Sequence, residues 1–376
     1  MNDATVVFNR KSIRRKCLKN GILKCSAAMA LIAWLFPAAA LAQYVRTDLT
    51  SDQPGVAANT SPHLVNGWGL VQLGTSPFWI SDNGTGLSTL YNGLGQLFPT
   101  PQNPLVVEIP PAPGSTQGSP TGVVGNITLG TSNEFKVSNG QASAPAIFIF
   151  ATLDGLIVGW NPNIGGTNAT VPKDFTIKPG ASYTGLAIAT DAKSGQTFLY
   201  AADDSANRQI DMYNSSYTRL QSFGDPEIPS NYAPYGIQAV NGQIWVTYTP
   251  LNKAQSGVVD IFNTDGTLAK HDAVHGPLHS PWGIALAPPD FGPMSNAILI
   301  SNNTSRGRVN GFDPNSGEFL GPLRDASGKA IEIDNVWAIQ FGHDGGPGGT
   351  PHNSLFFTAG PDGYVHGLFG VITSGH

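Results

Sequence analysis

The strongest constraint on this chain is a short segment that occurs six times, a β-rich run ending in an aromatic residue that Asn or Asp follows in five copies. The copies end at Leu90-Tyr91-Asn92, Gly159-Trp160-Asn161, Met212-Tyr213-Asn214, Ile261-Phe262-Asn263, Gly311-Phe312-Asp313 and Leu368-Phe369-Gly370, in steps of 69, 53, 49, 50 and 57 residues. Upstream of each lies an unbroken apolar run: Phe78-Trp79-Ile80, Ile147-Phe148-Ile149-Phe150, Phe198-Leu199-Tyr200, Ile244-Trp245-Val246, Ile298-Leu299-Ile300 and Leu355-Phe356-Phe357. Short, bulky runs without alternation read as strands buried on both faces. Farther upstream stands a small residue among apolar ones, Gly69, Gly122, Gly185, Gly236, Gly283 and, in the last copy, Ala338. Glycine there lets a strand pack close to other backbones. Each unit therefore holds three antiparallel strands, and a fourth is expected at residues 105–109, 174–177, 219–223, 267–271 and 319–323. The second unit is the irregular one, with residues 135–140 inserted before its buried run. Units of this kind repeated radially predict an all-β, six-bladed β-propeller with four-stranded antiparallel blades.

Two leftovers predict how the ring closes. Residues 43–52 alternate apolar and polar as a strand with one wet face, yet belong to no unit, and the sixth unit runs out of chain before its outer strand. The amino-terminal strand is expected to complete the last blade and remove the open edge.

Residues 1–42 read as an export signal. A basic head, with Arg10, Lys11, Arg14, Arg15, Lys16, Lys19 and Lys24, precedes an apolar stretch at 27–41, and Ala40-Leu41-Ala42 fits the small-x-small cleavage rule. Both cysteines, Cys17 and Cys25, fall there, so residues 43–376 form one cysteine-free domain held by burial alone. The expected location is secreted or periplasmic, with no membrane insertion after cleavage. Removing the leader takes the net charge from −5 to −11 and leaves 13 Lys and Arg, a balance that argues against nucleic acid as a partner.

Several long motifs carry a resemblance: Asp82-Asn83-Gly84-Thr85-Gly86-Leu87-Ser88-Thr89-Leu90-Tyr91-Asn92-Gly93, Phe150-Ala151-Thr152 with Asp154-Gly155 and Gly159-Trp160-Asn161-Pro162, Ser280-Pro281-Trp282-Gly283, and Thr358-Ala359-Gly360-Pro361 with His366-Gly367-Leu368-Phe369-Gly370. In these the mature chain resembles an uncharacterised family of secreted bacterial propeller proteins. That resemblance implies the fold and transfers no catalytic residue; Leu153 departs from the acidic residue usual in its motif. More distantly the blades are similar to NHL-type and gluconolactonase-type propellers.

In a propeller, the loops that enter the inner strands and leave the second strands gather on one face. Here that face is rich in carboxylate and amide oxygens, and Asn66, Asp82, Asn83, Asp203, His279, Asn302 and His366 are its candidate ligand-binding residues. Hard oxygen donors suit Ca2+, which makes Asp82, Asp203, Asn302 and Asn66 candidates to converge on one ion; Asp and Asn also simply close tight turns. Trp68, Trp282 and Trp337 are read either as a sugar platform or as packing residues. No G-x-S-x-G elbow, thiol nucleophile or H-E-x-x-H helix occurs in the mature chain. Two functions stay open. One is a module that binds a glycan, a small polar molecule or an extracellular protein; the other, implied by the gluconolactonase likeness, is a metal-dependent lactone hydrolase. That second likeness leads to the expectation of a Glu before the first inner strand, and none precedes Trp68.

Overall fold

The computed structural model describes residues 43–252 and 256–375, so the export-signal reading of residues 1–42 lies outside the described residues. Six antiparallel sheets stand side by side around one axis. Blade 1 comprises Gly67–Gln72, Phe78–Asp82, Leu87–Tyr91 and Val106–Glu108, in order from the axis outward. Blades 3, 4 and 5 follow the same order from inner strands Tyr183–Thr190, Tyr232–Val240 and Pro281–Leu286 to outer strands Arg219–Phe223, Leu268–Lys270 and Phe319–Pro322. Each inner strand packs beside the next, and the sixth, Val336–Phe341, packs beside the first. Among the described residues no helix is long and apolar enough to cross a membrane.

The amino-terminal strand Tyr44–Ser51 pairs antiparallel with Leu368–Ser374 and becomes the fourth strand of blade 6. It is anchored beyond the sheet as well: the Tyr44 hydroxyl donates to Phe291 O at 2.8 Å and accepts from Met294 N at 2.9 Å. Asn59–Thr60 then pairs parallel with its far side and covers the end of the new edge, at Thr50 and Ser51.

Blade 2 departs from expectation. Its sheet holds three strands, Pro120–Gly125, Phe148–Thr152 and Ile157–Trp160. Its outer position is a single bridge, with Gly159 and Thr170 exchanging bonds of 2.9 and 2.8 Å, so the strand expected at 174–177 does not form. A one-turn helix, Pro162–Gly165, capped by the Asn161 side chain, returns the chain early, and Pro172 lacks the N–H that would extend the pairing. The inserted residues form a separate hairpin, Lys136–Ser138 with Ser143–Pro145.

Register shows what the repeated aromatic does. Tyr91, Trp160, Tyr213 and Phe312 pair with apolar residues near the start of their neighbouring strands, Phe78, Phe148, Leu199 and Ile298, as Phe262 pairs with Ile244. They fill the cleft toward the preceding blade, where Trp160 meets Trp79 at 4.7 Å between ring centroids. In blade 6 the same register position belongs to Ile372, opposite Leu355. Phe369, aligned with the aromatics by sequence, lies on the other face against Phe78 and Tyr91 of blade 1.

At the axis the small residues take up the close approach of the inner strands. A Cβ on Gly236 would overlap the carbonyl oxygen of Trp282 in the next blade, and one on Gly283 would stand 2.6 Å from the carbonyl oxygen of Trp337. Hydroxyls on the second strands stitch the same junctions: Thr247 donates to Pro281 O, Ser301 to Trp337 O and Thr358 to Trp68 O, at 2.6, 2.6 and 2.7 Å. Overpacking at such a point costs about 1–3 kcal/mol. Gly236→Ala is therefore expected to lower stability in urea by about that amount, while Gly224→Ala, whose nearest neighbour would be 3.9 Å away, leaves it unchanged. Equal stabilities for the two variants would refute the axial constraint.

Candidate functional site

At the upper face, where inner strands begin, the axis is closed by aromatic rings. Trp68 and Trp337 stack at 3.8 Å, Trp282 meets Trp337 edge-on at 6.0 Å, and Tyr235 and Tyr364 approach Trp337 at 5.7 and 5.5 Å. All three tryptophans are buried. Of the two sequence readings for them, the structure selects packing, across the axis rather than between blades. Amides hold the group in place: Trp337 Nε1 donates to Asn66 Oδ1 at 2.9 Å, and the Tyr364 hydroxyl donates to Asn303 Oδ1 at 2.7 Å. Asn66 also donates to Asn83 Oδ1, and Asn83 in turn to Pro120 O, so the two sequence-selected asparagines form one network that spans blades 1 and 2.

The remaining sequence-selected residues are held apart by separate partners. Asp82 is wholly buried, its Oδ2 accepting from Thr89 Oγ1 at 2.7 Å. Asp203 accepts from Lys178 Nζ at 2.8 Å, and Asn302 donates to Pro277 O at 2.7 Å. His366 bridges Asp52 and Gln53 at 2.8 and 2.9 Å, and His279 is exposed. Asp82, Asp203 and Asn302 end the second strands of blades 1, 3 and 5, in equivalent register. Each faces a third-strand residue two places before the repeat aromatic: Thr89, Asp211 or Asn310. These are polar pairs within the clefts between blades, not a ring around the channel mouth.

Below the aromatic floor the axis opens into a cavity of about 470 Å³ that faces the lower side, where inner strands end. Its wall carries Leu70, Val123, Leu186, Ile188, Ile237, Ile284, Leu286 and Ile339, drawn from all six inner strands, with Trp282 at its base. The rim is amide-rich, with Gln72, Gln238, Asn241, Gln340 and His343. Gln72 N donates to Gln340 Oε1 at 3.0 Å and His343 N donates to Gln72 Oε1 at 3.0 Å, which fixes one side of the rim. Desolvation shifts the His343 imidazole below its ordinary value. Among the described residues, no Asp, Glu, Lys or Arg lines the cavity. Sequence reasoning missed this end of the channel because its lining is made of ordinary core residues, the apolar positions of the inner strands.

Burial raises the Asp82 carboxyl well above the usual carboxylate range, and the hydrogen bond from Thr89 offsets only part of this. The folded chain thus keeps a proton that the unfolded chain releases above pH ~4. Its stability contribution is full below that value and is lost as pH rises through the raised folded-state pKa. Asp82→Asn is expected to stabilise the protein by about 1–3 kcal/mol at pH 8 and by less at pH 4.5. A melting difference of the same size at both pH values would contradict this.

No family model matches the chain. It is 30% identical over 342 residues to Uncharacterized protein R648 of Acanthamoeba polyphaga mimivirus, a match that spans 86% of this chain and 78% of the relative. Uncharacterized protein L690 of the same virus is 27% identical over 353 residues, spanning 89% and 87%. Among solved structures, a streptogramin B lyase superposes with a TM-score of 0.52 at 12% identity, over 89% of this chain and 99% of that one. Virginiamycin B lyase from Staphylococcus aureus gives 0.50 at 12% identity, over 88% and 99%. At such identity the likeness is one of fold alone. The expected bacterial family is corrected by the mimivirus relatives, which are viral. The chain belongs to the family of the mimivirus protein R648.

Proposed function

We propose that this propeller is a binding module whose ligand is a small uncharged amphiphile seated in the axial cavity, with its apolar body against the inner strands and its neutral head at the amide rim. The observation that carries the reading is the lining: aliphatic along the wall, amide at the mouth, and, among the described residues, without an acidic or basic side chain of Asp, Glu, Lys or Arg. Concave apolar sites of this size with few convergent polar groups are the usual form of small-molecule sites. Burying an ionised head without a counter-charge would be costly, which favours neutral ligands. The lactone hydrolase reading draws no support from the upper mouth, since Asp82, Asp203 and Asn302 are each engaged separately. Export by the leader at residues 1–42 remains part of the proposal and places the binding outside the cytoplasm.

Calorimetric titration with octanamide, octanoate and octylammonium tests this. Octanamide is expected to bind saturably, and the two charged analogues at least about tenfold more weakly. Leu286→Glu at the partly buried mouth is expected to abolish octanamide binding while leaving the circular dichroism spectrum intact. Binding of octanoate or octylammonium as tight as that of octanamide would overturn the reading, as would octanamide binding that survives Leu286→Glu.

A further inference from the structure

The polar pairs in the clefts differ in how their charge is balanced. In blade 3, Asp203 and Asp211 share a built-in cation: Lys178, from the connection that leads into that blade, lies 2.8 Å from Asp203 Oδ2 and 3.0 Å from both oxygens of Asp211. Asp211 also accepts from the Tyr183 hydroxyl at 2.9 Å and from Ser222. Every oxygen in that cleft has a donor.

Blade 4 presents the same two register positions without the lysine. Asp260, opposite Val246, stands where Asp211 stands opposite Ala201, and Tyr248, two residues beyond Val246, stands where Asp203 does. The connection that leads into this blade supplies Asp225, a second acid, in place of a cation. His271, just past the outer strand, closes the group: its Nδ1 lies 2.5 Å from Asp225 Oδ2 and 3.3 Å from Asp260 Oδ1. Among the described residues, these three are the one set of His, Asp or Glu side chains that offer ligand atoms all within 4.8 Å of one another. Backbone donors reach only part of it, Glu227 N to Asp225 Oδ1 at 2.8 Å and Asp272 N to Asp260 Oδ1 at 2.9 Å.

Two buried atoms are left over. Asp260 Oδ2 and the Tyr248 hydroxyl have no hydrogen-bond partner among the described residues, although Asp260 is fully buried and Tyr248 is only 2% exposed. Both project into the same cleft, since residues in such register share a face of the sheet. A phenol and a carboxylate oxygen buried without partners are expensive, and Tyr248 lies outside the acidic group itself.

We propose that this cleft is a binding site for one divalent metal ion of the zinc or manganese class, held by Asp225, Asp260 and His271 with the Tyr248 hydroxyl facing the ion's remaining coordination position. Two carboxylates and an imidazole suit such ions better than calcium, which takes oxygen ligands only. A dication balances the two carboxylates, as Lys178 offsets charge in blade 3. His271, with its side chain 36% exposed, gives the ion a route from solvent. Bound there, the ion ties the connection from blade 3 and the end of blade 4's outer strand to the buried third strand. It acts as a clamp, away from the axial cavity.

The test is metal content after equilibrium dialysis. The purified full chain is stripped with chelator, dialysed against Zn2+ or Mn2+ and analysed by plasma mass spectrometry. About one ion per chain is expected, with affinity reduced at least about tenfold in Asp260→Asn and in His271→Ala, and unchanged in the surface control His352→Ala. Chain melting should rise with added metal for the parent and not for His271→Ala. If Asp260→Asn fails to fold, the half-exposed His271→Ala still decides the matter. A parent chain that retains no metal, or one whose metal survives His271→Ala undiminished, overturns the proposal.

Discussion

The close approach of six inner strands at the axis governs the rest of this molecule. Backbones meet where Gly236 faces Trp282 and Gly283 faces Trp337, and a side chain at these points would force the blades apart. Thr247, Ser301 and Thr358 each donate across a junction to a backbone carbonyl of the next inner strand. Glycine and hydroxyl act together: one removes the obstacle, the other satisfies the backbone acceptor that close packing would otherwise leave dry. The tryptophans that precede three of the small residues then have nowhere to go but the axis, where they close the upper end. The wider lower end remains as a cavity. A single spacing rule thus yields both the plug and the pocket.

Much of this was legible in the sequence, because a repeat carries its own internal check. The axial small residues, the buried second strands and the orphan strand at residues 43–52 each repeated or completed a pattern, and the structure places them accordingly. What escaped notice depends on contacts that one period cannot show. The sequence offers Phe369 as the sixth aromatic, whereas Ile372 takes that register and Phe369 turns toward blade 1. The blade 2 outer strand was sought at 174–177, where composition allows it, but the Asn161-capped turn brings the chain back at Thr170.

The candidate site was the least legible part. Asp82, Asp203 and Asn302 end the second strands of blades 1, 3 and 5. Strand parity, however, points them into clefts between blades, where Thr89, Lys178 and Pro277 engage them. Asp211 and Asp260 carried a usable signal, a charge two residues before the repeat aromatic in a strand otherwise buried. Asp225 and His271 carried none, since a connection and the end of an outer strand are where charges ordinarily sit.

The central claim, one axis sealed above by tryptophan and open below as an apolar chamber, is tested most directly by diffraction from crystals pressurised with xenon, which enters dry apolar cavities. The account predicts xenon density between Trp282 and the Gln72 and Gln340 rim, in contact with Leu186 and Ile237, and none among Asn66, Asp82 and Asn83. Xenon absent from the lower chamber, or seated at the upper mouth, would contradict it.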